Sequence, residues 1–392
     1  MNPKIQMRSY QEDATDYAYK HFYEVKKRNG IIILPTGSGK SIVIANIIKR
    51  INVPTLILQP SKEILVQNFK KYTDLGFYAE VYSASLGNKN VGMVTFATIG
   101  SIVKKLDLFK HIKLIIIDEC HGVEPTKGMY NTLIRHMQVK VIGLTATPYR
   151  LYSSMGGSEL RFITRQKSTL LHDIIYLVQN KKLFDEKYLA ELRYFVIKDK
   201  HFEYDTSKLE KNSTGSDYTE RSIKEYHKSI NFPEKISNIS RRLESSGRKS
   251  ILIFVRFLDE ARDIVNMNPT YGYIDGEMDQ KSRDAVIKAF LTGKIKVLVN
   301  SGVLTTGFDY PELDTVIMGR DTMSLALYYQ IVGRSIRIHP NKKEAFIVDM
   351  CKNVDRFGKV EDLVIKFDNK KRPYVAGLVK NREKVLTNCI IS

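Results

Sequence analysis

Ile31-Ile32-Ile33-Leu34 runs into Pro35-Thr36-Gly37-Ser38-Gly39-Lys40-Ser41 and then into Ile42-Val43-Ile44-Ala45-Asn46-Ile47-Ile48-Lys49. The first run predicts a short buried strand. The last, from Ser41 to Lys49 and apolar nearly all round, predicts a helix. Between them, Gly37 and Gly39 let backbone N–H groups curl around an anion with no Cβ in the way. The loop feeds directly into a helix N-terminus, whose unpaired N–H groups favour negative charge. Residues Pro35, Thr36, Gly37, Ser38, Gly39, Lys40 and Ser41 therefore form a candidate phosphate-binding loop. In such a loop the lysine reaches the β- and γ-phosphates and the serine hydroxyl ligates Mg²⁺. The strict pattern has glycine at position 34, where this chain has Leu34.

Short apolar strands alternate with helical segments from Gly30 to about Thr147, the signature of a parallel α/β sheet. Strands are predicted at Thr55–Gln59, Gly92–Phe96, Leu114–Ile117 and Val139–Leu144, with a helix over Lys62–Tyr72 whose inner face carries Ile64, Leu65, Asn68 and Phe69. Residues 1–150 make a first domain on this reading. Residues 151–232 differ: helical at first, then polar and weakly periodic, they predict a helical and irregular insertion with a linker. A second α/β pattern occupies 233–358, with strands at Ser250–Val255, Lys296–Asn300 and Thr315–Met318, and it has no phosphate loop. Residues 359–392 are expected to be a short tail. Two α/β lobes, one with the loop and one without, imply a nucleotide held in the cleft between them.

The formal net charge is +19 over 392 residues. That surplus points to a polyanionic partner, nucleic acid before membrane. The three cysteines, Cys120, Cys351 and Cys389, are odd in number and widely spaced, which excludes a zinc framework and predicts a reducing cytosol. The N-terminal residues lack a hydrophobic signal core, and no apolar run approaches the roughly 20 residues of a membrane span.

Asp118-Glu119-Cys120-His121 follows the run Leu114-Ile115-Ile116-Ile117. Two acids at a strand C-terminus lie where open α/β sheets bind ligands. Asp118 is the candidate Mg²⁺ ligand beside Ser41, and Glu119 the group that orients or deprotonates the attacking water. Cys120, with acidic neighbours, is expected to pack and not to react. Thr145 and Thr147 offer short hydroxyls near Glu119, and His121 is a candidate relay. In the second lobe, Tyr329 to Arg337 read as a helix puts Gln330, Arg334 and Arg337 on one face. Two guanidinium groups aimed at one place suit a γ-phosphate. In the segment before it, Thr305 or Thr306 could bond a nucleic-acid phosphate. Asp309 could contact a ribose or the arginine helix, and Gly307 reads equally as a plain turn.

Taken together, Arg8-Ser9-Tyr10-Gln11, the Pro35–Ser41 loop, Asp118–His121, Thr145-Ala146-Thr147, Thr305–Asp309 and Gln330–Arg337 resemble the superfamily 2 DEAD/DEAH-like helicases. The order and spacing match from Arg8 to Arg337, and the chain looks most like the RadD-like and XPB-like branch. The resemblance implies two tandem RecA-like lobes with parallel sheets and an ATP cleft between them. It implies ATP and Mg²⁺ as cofactors, Gln11 reading the adenine edge, and Arg8 packing near the base. It also places Gln59-Pro60-Ser61, Thr95–Ser101, Ile253–Arg256 and Asp275-Gly276 where such helicases grip a strand, mainly through its phosphates. RadD-like proteins usually carry a cysteine-rich C-terminal segment, and with two cysteines after Gly333 this chain is expected to lack it.

The expected activity is ATP-dependent unwinding or remodelling of DNA, with closure of the lobes bringing Arg334 and Arg337 onto the γ-phosphate. A monomeric, cytoplasmic, nucleoid-associated enzyme is expected, with DNA favoured over RNA. An ATP-gated clamp that never unwinds, and an RNA-directed helicase, are the alternatives.

Overall fold

The computed structural model describes residues 6–25, 28–154, 157–197, 203–304 and 308–388. The chain divides into two compact units.

The first unit comprises Met1–Arg150, Arg161–Gln179 and Phe367–Pro373. Its strands are β1 (Gly30–Ile33), β2 (Thr55–Gln59), β3 (Glu80–Ser83), β4 (Asn88–Lys89), β5 (Val94–Thr98), β6 (Leu114–Asp118) and β7 (Lys140–Thr145). A ribbon of β8 (Tyr149–Ser154) and β9 (Gly157–Phe162) follows, and β10 (Asp173–Leu177) then completes the sheet. The order across its eight strands is β10-β1-β7-β6-β2-β5-β3-β4. Neighbours run parallel except β3 and β4. Strands buried on both faces need continuous apolar sequence, and Ile31–Ile33, Leu56–Leu58 and Leu114–Ile117 supply it. Helices α1 (Ser9–Glu24), α2 (Lys40–Ile51) and α3 (Lys62–Asp74) pack side by side, α1 on α2 and α2 on α3.

Leu34 explains its own departure from the glycine pattern. It is fully buried, and its N–H donates to Thr145 O at 3.0 Å, extending the β1–β7 ladder by one residue. Backbone in a ladder has no need of glycine there.

The second unit comprises Leu151–Leu160, Asn180–Lys366 and Tyr374–Ser392. Its main sheet uses β11 (Glu191–Val196), β12 (Ile251–Val255), β13 (Gly272–Ile274), β14 (Val297–Ser301), β15 (Thr315–Gly319) and β16 (Glu344–Asp349). All six run parallel, in the order β11-β16-β15-β12-β14-β13. Ile251, Ile253, Val297, Val299, Ile317 and Val348 build its core with Ile236 and Ile264 from the covering helices.

Two expectations change here. Residues 151–232 are not a helical insertion beside the sheets: they supply β10, an edge strand of the first sheet, and β11, an edge strand of the second. Edge strands are half-buried, so their sequences mix polar and apolar residues and carry weak periodicity. The tail is likewise structured, forming a three-stranded sheet of β17 (Val364–Phe367), β18 (Pro373–Val379) and β19 (Arg382–Val385). Among the described residues no helix is long and apolar enough to cross a membrane.

Candidate nucleotide-binding and hydrolysis site

The loop after β1 has the geometry that the sequence demands of it. Gly37 and Gly39 adopt left-handed backbone, with φ of 78° and 83°. At Gly39 an added Cβ would also meet Gln11 Nε2 at 2.6 Å, so both the backbone and the space require glycine. Pro35 is buried at the base of the loop, while Thr36, Lys40 and Ser41 are half-buried. Gly39 caps α2, and no acidic residue occupies the first helical turn to repel an anion. Ser38 Oγ is buried without a hydrogen-bond partner among the described residues. Two left-handed glycines leading into a helix N-terminus, a spare hydroxyl and a lysine fit a polyphosphate.

Helix α1 braces this loop from behind. Tyr10 Oη and Gln11 Nε2 both donate to Ser38 O, at 2.7 and 2.8 Å. Gln11 Oε1 accepts from the Arg8 N–H at 3.0 Å, and Arg8 Nη1 donates to Tyr10 Oη at 3.0 Å. Both ends of the Gln11 amide are thus spent on protein, and the residue is 2% exposed. In this arrangement Gln11 holds the loop.

Asp118 ends β6 and Glu119 follows in left-handed backbone at φ 50°, unusual for a residue with a side chain. The two carboxylates have different partners. Asp118 is buried, accepts from the Glu119 N–H at 3.0 Å and from Asn68 Nδ2 at 3.0 Å, and has its carboxyl pushed up to about 6 by burial and by the Glu119 charge. Lys40 Nζ and the Asn68 and Glu119 N–H groups oppose that rise. Glu119 Oε1 lies 3.6 Å from Lys40 Nζ, while its Oε2 faces His121 Nδ1 at 3.3 Å and the Thr145 hydroxyl at 3.5 Å. His121 Nδ1 also lies 3.1 Å from both Thr145 Oγ1 and Thr147 Oγ1, so these three residues form one polar group around Glu119. Cys120 is fully buried, and burial pushes its thiol well up, in keeping with a packing role.

Asn68 escaped the sequence reading as a site residue. It joins Ser41 to Asp118: Ser41 Oγ donates to Asn68 Oδ1 at 2.8 Å, and Asn68 Nδ2 donates to Asp118 Oδ2. Its signal was a polar residue on the inner stripe of α3, beside Ile64, Leu65 and Tyr72. Gln59, expected to touch a strand, is fully buried and accepts from Asn68 Nδ2 at 3.0 Å. The donor set at Ser41 and Asp118, one hydroxyl and one carboxylate, suits a hard divalent cation carried with phosphates.

In the second unit the arginine segment is not one helix. The helix spans Leu325–Val332, with Gly333 as its C-cap. Ser335 Oγ then donates to Val332 O at 3.1 Å, which closes the helix end. Gln330 is in its last turn, whereas Arg334 and Arg337 lie beyond it. Arg334 donates to Gln330 O and Phe308 O at 3.2 and 2.7 Å, and Arg337 pairs with Asp309. Of the two roles open to Asp309, the structure places it against the arginine. Residues 305–307, with Thr305, Thr306 and Gly307, lie outside the described residues, as does Cys389. Arg256 turns inward: its side chain is 9% exposed and pairs with Asp217 at 3.1 Å. Asp275 is buried and accepts from the N–H groups of Glu277 and Met278, so it holds its own turn.

Residues 4–150 match the family model for the type III restriction enzyme res subunit, and residues 234–339 match the helicase conserved C-terminal domain. The DNA 3'-5' translocase XPB2 of Sulfurisphaera tokodaii is 26% identical over 377 residues, covering 88% of this chain and 82% of that protein. The chain belongs to the superfamily 2 helicases. Within them it lies near the XPB-like branch. IRC3 of Saccharomyces cerevisiae is 26% identical over 371 residues, covering 88% of this helicase-family chain, which spans about half (51%) of the yeast protein's length. In fold, the structure of S. cerevisiae Dbp5 bound to RNA and ADP BeF3 matches with a TM-score of 0.57 at 17% identity, over 87% of this chain and 83% of that one. The α/β architecture of two RecA-like units is shared with these helicases.

Proposed function

We propose that this chain is an ATP-dependent DNA helicase or translocase that uses ATP hydrolysis to move along or remodel DNA. The observation carrying the reading is the convergence of Lys40 and Ser41 with Asp118 and Glu119 at the carboxyl ends of β1 and β6, with Lys40 Nζ 3.6 Å from Glu119 Oε1. The likeness to XPB2, named as a DNA translocase, and the net charge of +19 favour DNA as the polyanion.

The residues divide the work by chemistry. The Gly37–Lys40 backbone binds the phosphates, Lys40 exchanges its contact with Glu119 for the β- and γ-phosphate oxygens, and α1 keeps the loop in shape. Ser41 and Asp118 would hold Mg²⁺, which would supply charge neutralisation for those phosphates. Glu119, released from Lys40, orients the attacking water and takes its proton, with His121, Thr145 and Thr147 fixing the carboxylate. Arg334 and Arg337 act on the charge that develops on the γ-phosphate, with Gln330 alongside.

The test is ATP turnover with single-stranded DNA, duplex DNA and RNA at one fixed salt concentration, paired with strand separation on forked and tailed substrates. DNA should raise turnover sharply, and the stimulation should fall with added salt. Turnover without displacement on any substrate would mean translocation or clamping without unwinding. Stimulation by RNA alone would overturn DNA as the substrate.

A further inference from the structure

Asn68 sits between the two proposed metal-ligating side chains in a network whose polarity is fully determined. Its Nδ2 has two protons, and two acceptors face it: Gln59 Oε1 and Asp118 Oδ2, each at 3.0 Å. An ionised carboxylate only accepts, so the amide nitrogen must be on that side. Asn68 Oδ1 is then left facing Ser41, and an amide oxygen accepts only. The Ser41 hydroxyl therefore gives its proton to Asn68 at 2.8 Å and keeps its lone pairs for another partner. Asp118 is fixed through both oxygens, Oδ2 by Asn68 and Oδ1 by the Glu119 N–H at 3.0 Å.

We propose that Asn68 is a positioning residue for the divalent cation, presetting the Ser41 lone pairs and the Asp118 carboxylate through a single buried amide. The inference rests on the nucleotide-site reading above and deepens it. Gln59 adds to the device: it is fully buried and gives the amide its second acceptor, while the acceptor-only Asp118 carboxylate keeps Asn68 from turning over. Helix α3 supplies the rigidity, since Ser61 caps its start by accepting from the Ile64 N–H. Second partners of metal ligands typically contribute 10–100-fold to metal affinity. Here one residue serves two ligands.

The test uses the full chain and ADP, titrated with MgCl₂ after removal of metal by EDTA, with binding read by calorimetry and by thermal shift. Asn68→Leu keeps the branched side-chain shape and removes all three hydrogen bonds. Asn68→Ser is smaller and offers one hydroxyl in place of the amide's three bonds. In both variants ADP affinity in EDTA should stay within about twofold of the parent. The Mg²⁺ concentration giving half the metal-dependent gain in ADP binding should rise about tenfold or more in the leucine variant, and less in the serine variant. An unchanged Mg²⁺ midpoint in either folded variant overturns the proposal. So does an equal loss of ADP affinity with and without metal, which would make Asn68 a support for the loop. Should the leucine variant fail to fold, the serine variant decides. If the parent protein binds no ADP at all, the nucleotide-site reading fails instead, an outcome plainly separate from these.

Discussion

Lys40 Nζ rests 3.6 Å from Glu119 Oε1, so the lysine suited to phosphate and the acid suited to water form an ion pair. Arrival of a triphosphate must part them. Glu119→Gln should therefore leave ATP affinity unchanged or a few-fold tighter, while turnover falls by about 10²–10⁴. Calorimetry and a phosphate-release assay measure the two quantities separately. Near-normal turnover would remove Glu119 from catalysis.

A Cβ added at Gly39 would come within 2.6 Å of Gln11 Nε2, and the backbone there is left-handed at φ +83°. Gly39→Ala should weaken ADP binding at least tenfold and lower Tm, through about 1–3 kcal/mol of backbone strain. Gly76, at φ +85° with nothing within 4 Å, is the control. Gly76→Ala should lower Tm by a similar amount and leave ADP affinity alone.

Arg337 pairs with Asp309 inside its own unit. If it also serves the γ-phosphate, Arg337→Ala should lower kcat by about 10³ with little change in ATP affinity. Steady-state kinetics with nucleic acid present checks the split. A lowered Tm with normal kcat would reduce Arg337 to a partner of Asp309.

A Cβ on Gly143 would come 2.6 Å from Cys120 Sγ and 2.7 Å from its Cβ. The thiol between Glu119 and His121 is thus seated on a bare stretch of β7. Gly143→Ala should destabilise the protein by about 1–3 kcal/mol through overpacking, and Cys120→Ala in the same chain should recover only the part due to sulfur. Denaturant melts of the single and double variants measure this. Additive losses would show that the two sites do not touch.

Lys342 is buried, donates to Leu313 O and Ser335 O, and has its ammonium pushed down from 10.5 to about 8 by burial. Between pH 8 and 10.5 the unfolded chain then holds more protons at this site than the folded one, so folding stability gained from it rises with pH. The full gain is about 3 kcal/mol. Compared with Lys342→Met, the parent protein should gain Tm across that window. A constant Tm difference from pH 7 to 10 would contradict the assignment.

The local signals that survived into the structure are those in which one short segment contains its own explanation. Ile31 to Lys49 names strand, loop and helix in sequence, and β2, at Thr55–Gln59, has the expected limits. Asp118 and Glu119 were legible because a buried parallel strand leads to them. The arginine helix was misjudged because Gly333 and the buried Ser335 hydroxyl end it, and a hydroxyl turned back onto a helix end leaves no periodic mark. Asn68 was hidden by its setting: inside an apolar stripe, one amide looks like noise until Ser41, Gln59 and Asp118 are seen around it. Strands β10 and β11 stayed unread because edge positions relax the demand for apolar sequence.

The first unit draws β10 from beyond the β8–β9 ribbon, and β10 lies directly against β1, the strand that launches the phosphate loop. A fragment cut at Arg150 would thus bare the flank of β1 and offer it to any passing strand, with Ile31 and Ile32 newly wetted. Expression trimmed at Gln179 keeps that flank sealed, so the choice of stop codon decides whether an isolated ATP-site module remains in solution or clumps.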